Sequence, residues 1–352
     1  MVRFWIAAAT IGILLQRLFY LLWHRQNTPT LQGFHALSTI ETVVVNGHEH
    51  TLVIRGHDIS KSPILLCLHG GPGASEIPFI HQANNELERR FIVVTYDQRS
   101  AGKSCKFYDG SELTVRGHVD DAIAVAEVLL ARFQHQKLYI KGGSWGSVLA
   151  LLFAQRRPDI VHKVLVRGML VDGERNEQLS REFTLNRLRE LGVTAGVKAL
   201  EMMRLPPYQD RVSDLVQQRK WLYVAGGMSH SSACPRMGLV WRTTIAVLLS
   251  PEMSLAEAVQ FERCLTDTLR QMWPEVEQFK ATEMVPELEV PLVVFHGRHD
   301  HCTSAELVEG YLNELIAPAG KSIVWFEGSG HSPQLEEPMR FQQEAIKHLL
   351  EK

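Results

Sequence analysis

The sequence predicts an α/β fold: a mostly parallel sheet with helices on both faces and a helical cap inserted late in the chain. Three features carry that reading. Short apolar runs alternate with helix-length segments, and a glycine-rich turn joins one such run to a helix. Between Asp172 and about Glu289 the alternation lapses into helical, Met- and Arg-rich sequence broken by Pro206-Pro207, Gly226-Gly227 and Pro251. The 352 residues are 45% hydrophobic and 22% charged, enough for one large core plus an insertion. A formal net charge of -2 with both signs interspersed leaves no basic face for phosphates, which excludes nucleic acid as a partner class.

Residues 4–23 form an apolar stretch of about bilayer-spanning length, preceded by Arg3 and followed by His24 and Arg25. Residues 1–30 are therefore expected to be a single-pass membrane segment with its linker. Gln16 and Arg17 interrupt the stretch, and an arginine in mid-span costs a few kcal/mol unless it snorkels. A cleaved signal peptide, with 4–15 as its apolar region, and an amphipathic surface helix stay open as alternatives. Cations at both ends leave the orientation unset.

The globular part opens with β-branched runs at 42–45 and 51–54 joined across Asn46-Gly47, a hairpin signal. Continuous apolar runs at 64–68, 91–96, 138–140, 164–166, 292–295 and 322–326 read as buried strands. Crossover helices are expected at 119–133, behind Asp120 and Asp121, and at 148–156, stopping before Pro158; a last helix is expected at 338–350. The resulting divisions are a core at 34–171, a cap at 172–289 and a second core part at 290–352. Met202, Met203, Trp221, Tyr223, Met228, Met237 and Trp241 in the cap read as its packing core, with an adaptable apolar pocket as the alternative.

Five cysteines without a CxxC pair argue against zinc and against a disulfide framework, while leaving room for one bridge. Cys67, inside an apolar run, is expected to be a small buried hydrophobe.

Residues 137–149 read KLYIKGGSWGSVL, which is G-x-S-x-G in a strand, turn and helix setting. A hydroxyl held on a tight turn needs neighbours without β-carbons where the backbone crowds itself, so Ser144 is the expected nucleophile. Serine is a weak nucleophile until an imidazole takes its proton. Of the sixteen histidines, His331 is the expected base, in the loop EGSGHSP (327–333) between the last strand and the last helix. Asp300 follows the penultimate strand and is expected to accept a hydrogen bond from that imidazole, fixing its tautomer. His299 and His301 beside it read as ordinary loop residues. The order Ser, Asp, His along the chain independently fits. The loop HGGPG (69–73) after the run 64–68 lets backbone approach a substrate, and the N–H groups of Gly71 and Trp145 are the expected oxyanion donors. A phosphate cradle is disfavoured, since this loop carries neither G-K-[ST] nor GxGxxG. No metal or cofactor is implied.

HGGPGAS (69–75), YDQRSAGKS (96–104), GGSWGSVLAL (142–151), HGRHD (296–300) and GSGHSP (328–333), in this order, resemble the prolyl iminopeptidase branch of the α/β hydrolases. The resemblance runs from about Val43 to the carboxyl end and is weakest across the insert. It implies hydrolysis of a peptide bond after an amino-terminal proline, under a helical cap whose acidic groups hold the free α-amine. The chain departs from that pattern in two places. Ser100 stands where the branch has glycine in DQRG, and the insert lacks the tryptophan and glutamate pair that binds the amine. Glu174 and Glu177 are the candidate substitutes, with surface acids as the alternative reading. The expected substrate is therefore a short peptide or small molecule, and a carboxylester hydrolase stays open beside the aminopeptidase. From another class, an inactive membrane-tethered binding protein on the same scaffold is disfavoured by the filled catalytic positions. An epoxide hydrolase or dehalogenase would need an aspartate where Ser144 stands.

Overall fold

The computed structural model describes residues 26–209, 211–230 and 238–351, without the side chains of 238–242. The expected membrane segment lies outside the described residues, and among those no helix is long and apolar enough to cross a membrane.

Eight strands form one sheet in the order β1-β2-β4-β3-β5-β6-β7-β8. β1 (Leu37–Val45) and β2 (His48–Gly56) make the antiparallel hairpin, and β2 pairs antiparallel with β4 (Ile92–Tyr96). Asn46 and Gly47 both take positive φ, 51° and 79°, the turn whose twist matches that of the strands it joins. β3 (Ile64–Leu68), β5 (Leu138–Gly143), β6 (Val161–Arg167), β7 (Leu292–Gly297) and β8 (Lys321–Phe326) continue the sheet in parallel.

The pleat sends alternate residues of each central strand to opposite faces. Leu66 and Leu68 of β3 join a cluster with Val119, Val125, Leu149 and Phe153, contributed by helices α1 (Val115–Phe133) and α2 (Trp145–Arg156). Leu65 and Cys67 face the other way, in a cluster with Phe341, Ala345 and Leu349 of the carboxyl-terminal helix Pro338–Leu350. Covering both faces explains why these strands read as unbroken apolar runs. At roughly 1.5–3 kcal/mol per fully buried large aliphatic or aromatic side chain, this double burial is the main favourable term holding the core.

Between β6 and β7 the chain builds the cap from α3 (Gly173–Glu190), α4 (Thr194–Met202), α5 (Val212–Ala225), α6 (Gly238–Leu249) and α7 (Leu255–Gln278). Its two ends are tied to each other: Gly173 N–H donates to Phe279 O at 2.9 Å and Ala281 N–H to Val171 O at 2.7 Å. A second attachment runs from the loop after β4 to α7. Lys103 Nζ donates to Glu257 Oε2 at 2.8 Å, and Cys105 is disulfide-bonded to Cys264. Ser254 and Glu257 form a reciprocal capping box that starts α7.

Candidate active site

The turn at the carboxyl end of β5 places Ser144 at φ 53° and ψ -120°, a strained conformation for a residue with a β-carbon. Surrounding bonds hold it there. Ser144 N–H donates to Arg167 O at 2.8 Å, and the Ser144 carbonyl accepts from Ser147 Oγ at 2.6 Å. The crowding expected around the turn is present, since a methyl group on Gly146 would stand 2.1 Å from the Leu68 carbonyl.

His331 and Asp300 come together from the loops after β8 and β7. His331 Nδ1 lies 2.8 Å from Asp300 Oδ2, and because a carboxylate only accepts, Nδ1 carries the proton and Nε2 is left as the acceptor. Asp300 also accepts from the N–H groups of Cys302 (2.8 Å) and Thr303 (2.9 Å) and from Thr303 Oγ1 (2.7 Å). Burial alone would raise the Asp300 pKa, but the His331 charge and these hydrogen bonds hold it well below the usual carboxylate range. Burial likewise opposes the charged form of His331, yet the Asp300 carboxylate outweighs it and raises the imidazole pKa above its ordinary value. Ser144 and His331 line one cavity of about 430 Å³, though no hydrogen bond joins the Ser144 hydroxyl to the ring among the described residues.

Gly71 and Trp145 line the same cavity. Trp145 is the first residue of α2, so its N–H has no partner within the helix. A network absent from the sequence reading steadies the loops of both expected oxyanion donors. Gln98 N–H donates to His69 Nε2 at 3.1 Å, so the His69 proton sits on Nδ1 and is given to Gly70 O at 2.9 Å. The Gln98 side chain donates to His69 O at 2.9 Å and accepts from Trp145 Nε1 at 2.9 Å, linking the two loops that carry the donors. Burial holds His69 down at about pKa 4, neutral at physiological pH. Gln98→Leu is expected to lower kcat by about 10- to 100-fold with little change in KM, because the donors are displaced while the cavity wall stays. Steady-state kinetics on any turned-over ester would check this.

Glu174 and Glu177 separate. Glu174 is exposed on the first turn of α3, accepts from Gln178 and does not line the cavity, which corrects its reading as a pocket acid. The physical reason is helical phase, since Asp172 caps α3 and Glu174 then falls on its solvent side. Glu177 is buried and lines the cavity, where both its oxygens accept from Arg219 of α5, at 2.8 and 2.5 Å. Among the described residues the other acid on the wall is Glu76, which accepts from Arg167 at 2.6 Å, with Lys141 Nζ 3.8 Å away. Burial would raise the Glu76 pKa, but these two cations hold it down.

Of the cap residues read as packing core, Met203 and Trp221 do pack there, Tyr223 and Met228 line the cavity, and Met202 is exposed. Met237 lies outside the described residues, as does the side chain of Trp241. Cys67 is buried in β3 as expected, and Cys302 is a free thiol on the cavity wall. His299 stacks on His230 and His301 on Phe183, and neither lines the cavity.

Residues 63–338 match the family described by the alpha/beta hydrolase fold. The chain belongs to the alpha/beta hydrolase family. It is 30% identical over 322 residues to the probable aminopeptidase YbaC of Bacillus subtilis (strain 168), covering 89% of this chain and 96% of that protein. A probable proline iminopeptidase of Leptolyngbya boryana is 32% identical over 122 residues, 35% of this chain and 36% of that one. Among solved structures of the alpha/beta hydrolase fold, the proline iminopeptidase of Mycobacterium smegmatis superimposes with a TM-score of 0.63 at 17% identity, covering 88% of this chain and 97% of that one. A membrane phospholipase A, described as a bacterial virulence factor, gives 0.59 at 20% identity, covering 99% of this chain and 98% of that one. At these identities the two structures show the fold alone.

Proposed function

We propose that this hydrolase cleaves an amide or ester bond through an acyl-enzyme formed on Ser144. One observation carries the reading: a serine on a strained turn faces the same cavity as an imidazole whose tautomer is fixed by a buried carboxylate. In the first half-reaction Ser144 Oγ attacks the carbonyl carbon while His331 Nε2 takes the hydroxyl proton. The N–H groups of Gly71 and Trp145 hold the oxyanion, and His331 passes the proton to the departing amine or alcohol. Water then attacks the acyl-enzyme with His331 again as base, releasing the acid and free Ser144. The serine–imidazole contact in such sites commonly closes only when substrate binds, which fits its absence here. A fluorophosphonate probe should label the wild-type chain and leave Ser144→Ala untouched; labelling of the variant at the same rate would refute the assignment.

A membrane-tethered form of the enzyme is supported by residues 4–23, whose apolar sequence ends a few residues before Gln26, itself hydrogen-bonded through its N–H to Pro251 O of the cap. The Cys105–Cys264 disulfide supports an oxidising compartment for the globular part. The full-length chain is expected to stay in the membrane pellet after alkaline carbonate washing. Its release into the supernatant would exclude a spanning anchor.

A further inference from the structure

We infer that the acyl side of this site takes neutral, apolar groups rather than aminoacyl groups, and that Arg219 enforces the choice. The inference rests on the proposed serine hydrolase reading and names its substrate class.

A pocket that holds a free α-amine needs a carboxylate able to give its charge to the incoming ammonium. Among the described residues the cavity wall has two acids, Glu76 and Glu177, and two arginines, Arg167 and Arg219, one bonded to each. The residues outside the description add one acid in all, Asp210. Glu177 is 1% exposed and bidentate to Arg219, with Asn176 Nδ2 at 3.4 Å from Oε1. A planar guanidinium on both oxygens is the strongest pairing a carboxylate makes, and it leaves no net charge at that wall. An ammonium arriving there would bring an uncompensated cation out of water, or would have to displace Arg219 and leave it unpaired in turn. Glu76 is compensated in the same way from the floor of the sheet by Arg167, with Lys141 behind it.

The rest of the wall carries neutral polar groups, the Gln334 amide among them, beside a large apolar area. Leu215 and Val216 of α5 and Phe261, Leu265, Leu269 and Trp273 of α7 face the cavity. That apolar area favours an alkyl or aryl group and offers nothing to a solvated charge.

A matched pair of reversible serine-hydrolase ligands tests this: 3-methylbutylboronic acid and its α-amino analogue, which differ by one amine protonated at neutral pH. Each competes with fluorophosphonate labelling of the full-length wild-type chain. The amine-free acid is expected to protect Ser144 at a concentration lower by about tenfold or more. In Arg219→Gln the ratio should fall about tenfold or invert, because Glu177 is released to meet the amine. The double variant Glu177→Gln, Arg219→Gln, neutral at both positions, should return to the wild-type preference and serves if the single variant does not fold. Stronger protection of the wild type by the α-amino ligand, or a ratio unmoved in a folded Arg219→Gln protein, would overturn the inference. Loss of labelling in the wild type would instead remove the serine hydrolase reading beneath it.

Discussion

Ser144→Ala is expected to lower kcat by about a million-fold while leaving the melting temperature within a few degrees of wild type. The magnitude follows from removing the nucleophile of a unit whose members act together, so that only binding and oxyanion stabilisation remain. The fold should tolerate the change because the bonds that hold the turn run through the backbone of residue 144, from its N–H to Arg167 O and from Ser147 to its carbonyl. Alanine keeps both. It also keeps the positive φ, so the strain is unchanged and only the hydroxyl is lost. Turnover measured beside a thermal melt separates the two effects, and a variant retaining a hundredth of wild-type kcat would show that another group attacks.

Asp300→Asn should reduce kcat by about 10⁴-fold, since the amide can donate to His331 Nδ1 and favour the tautomer that leaves no acceptor toward Ser144. The pH dependence carries a second signature. His331 must be neutral to accept the serine proton, so kcat/KM rises with pH as the ring loses its proton. With the Asp300 carboxylate raising that pKa, the limb should lie on the alkaline side of an ordinary imidazole. In Asp300→Asn the raising charge is gone while burial, which lowers the pKa, persists, so the limb should move to lower pH. A profile whose limb does not shift would mean that the carboxylate does not act on this imidazole.

The candidate constellation was legible because its members are announced by local sequence. G-x-S-x-G fixes one corner, and strand-end loops in the right chain order supply the other two residues. Strand ends were harder. β5 runs on through Lys141 and β6 through Arg167, two charges that terminate an apolar run by eye but are buried against Glu76 and Asn84 in the folded protein. No local pattern announces such a pairing. The same holds for Arg219, which meets Glu177 across 42 positions of helical sequence, and for Cys105, which meets Cys264 across 159. Glu174 and Glu177 sit on one helix, and composition cannot say which of the two turns inward. Gln98 stands in the stretch YDQRSAGKS, but its task, bridging the loops of both expected oxyanion donors, exists only once β3, β4 and β5 lie side by side.

Glu257 belongs to two structures at once. Its carboxylate closes the first turn of α7 by accepting from Ser254 N–H at 2.8 Å, and it receives Lys103 and Lys106 from the core. Fraying of that turn and loss of the ionic contact with Lys103 and Lys106 are therefore coupled, while the Cys105–Cys264 disulfide still holds α7 to the same loop. Burial would raise the Glu257 pKa, but these donors hold it below its ordinary 4.5, so its contribution is complete above that value and is lost as acid titrates it through the lowered one. Acidification should thus weaken the seam between cap and core at this residue, through a single protonation felt by both sides.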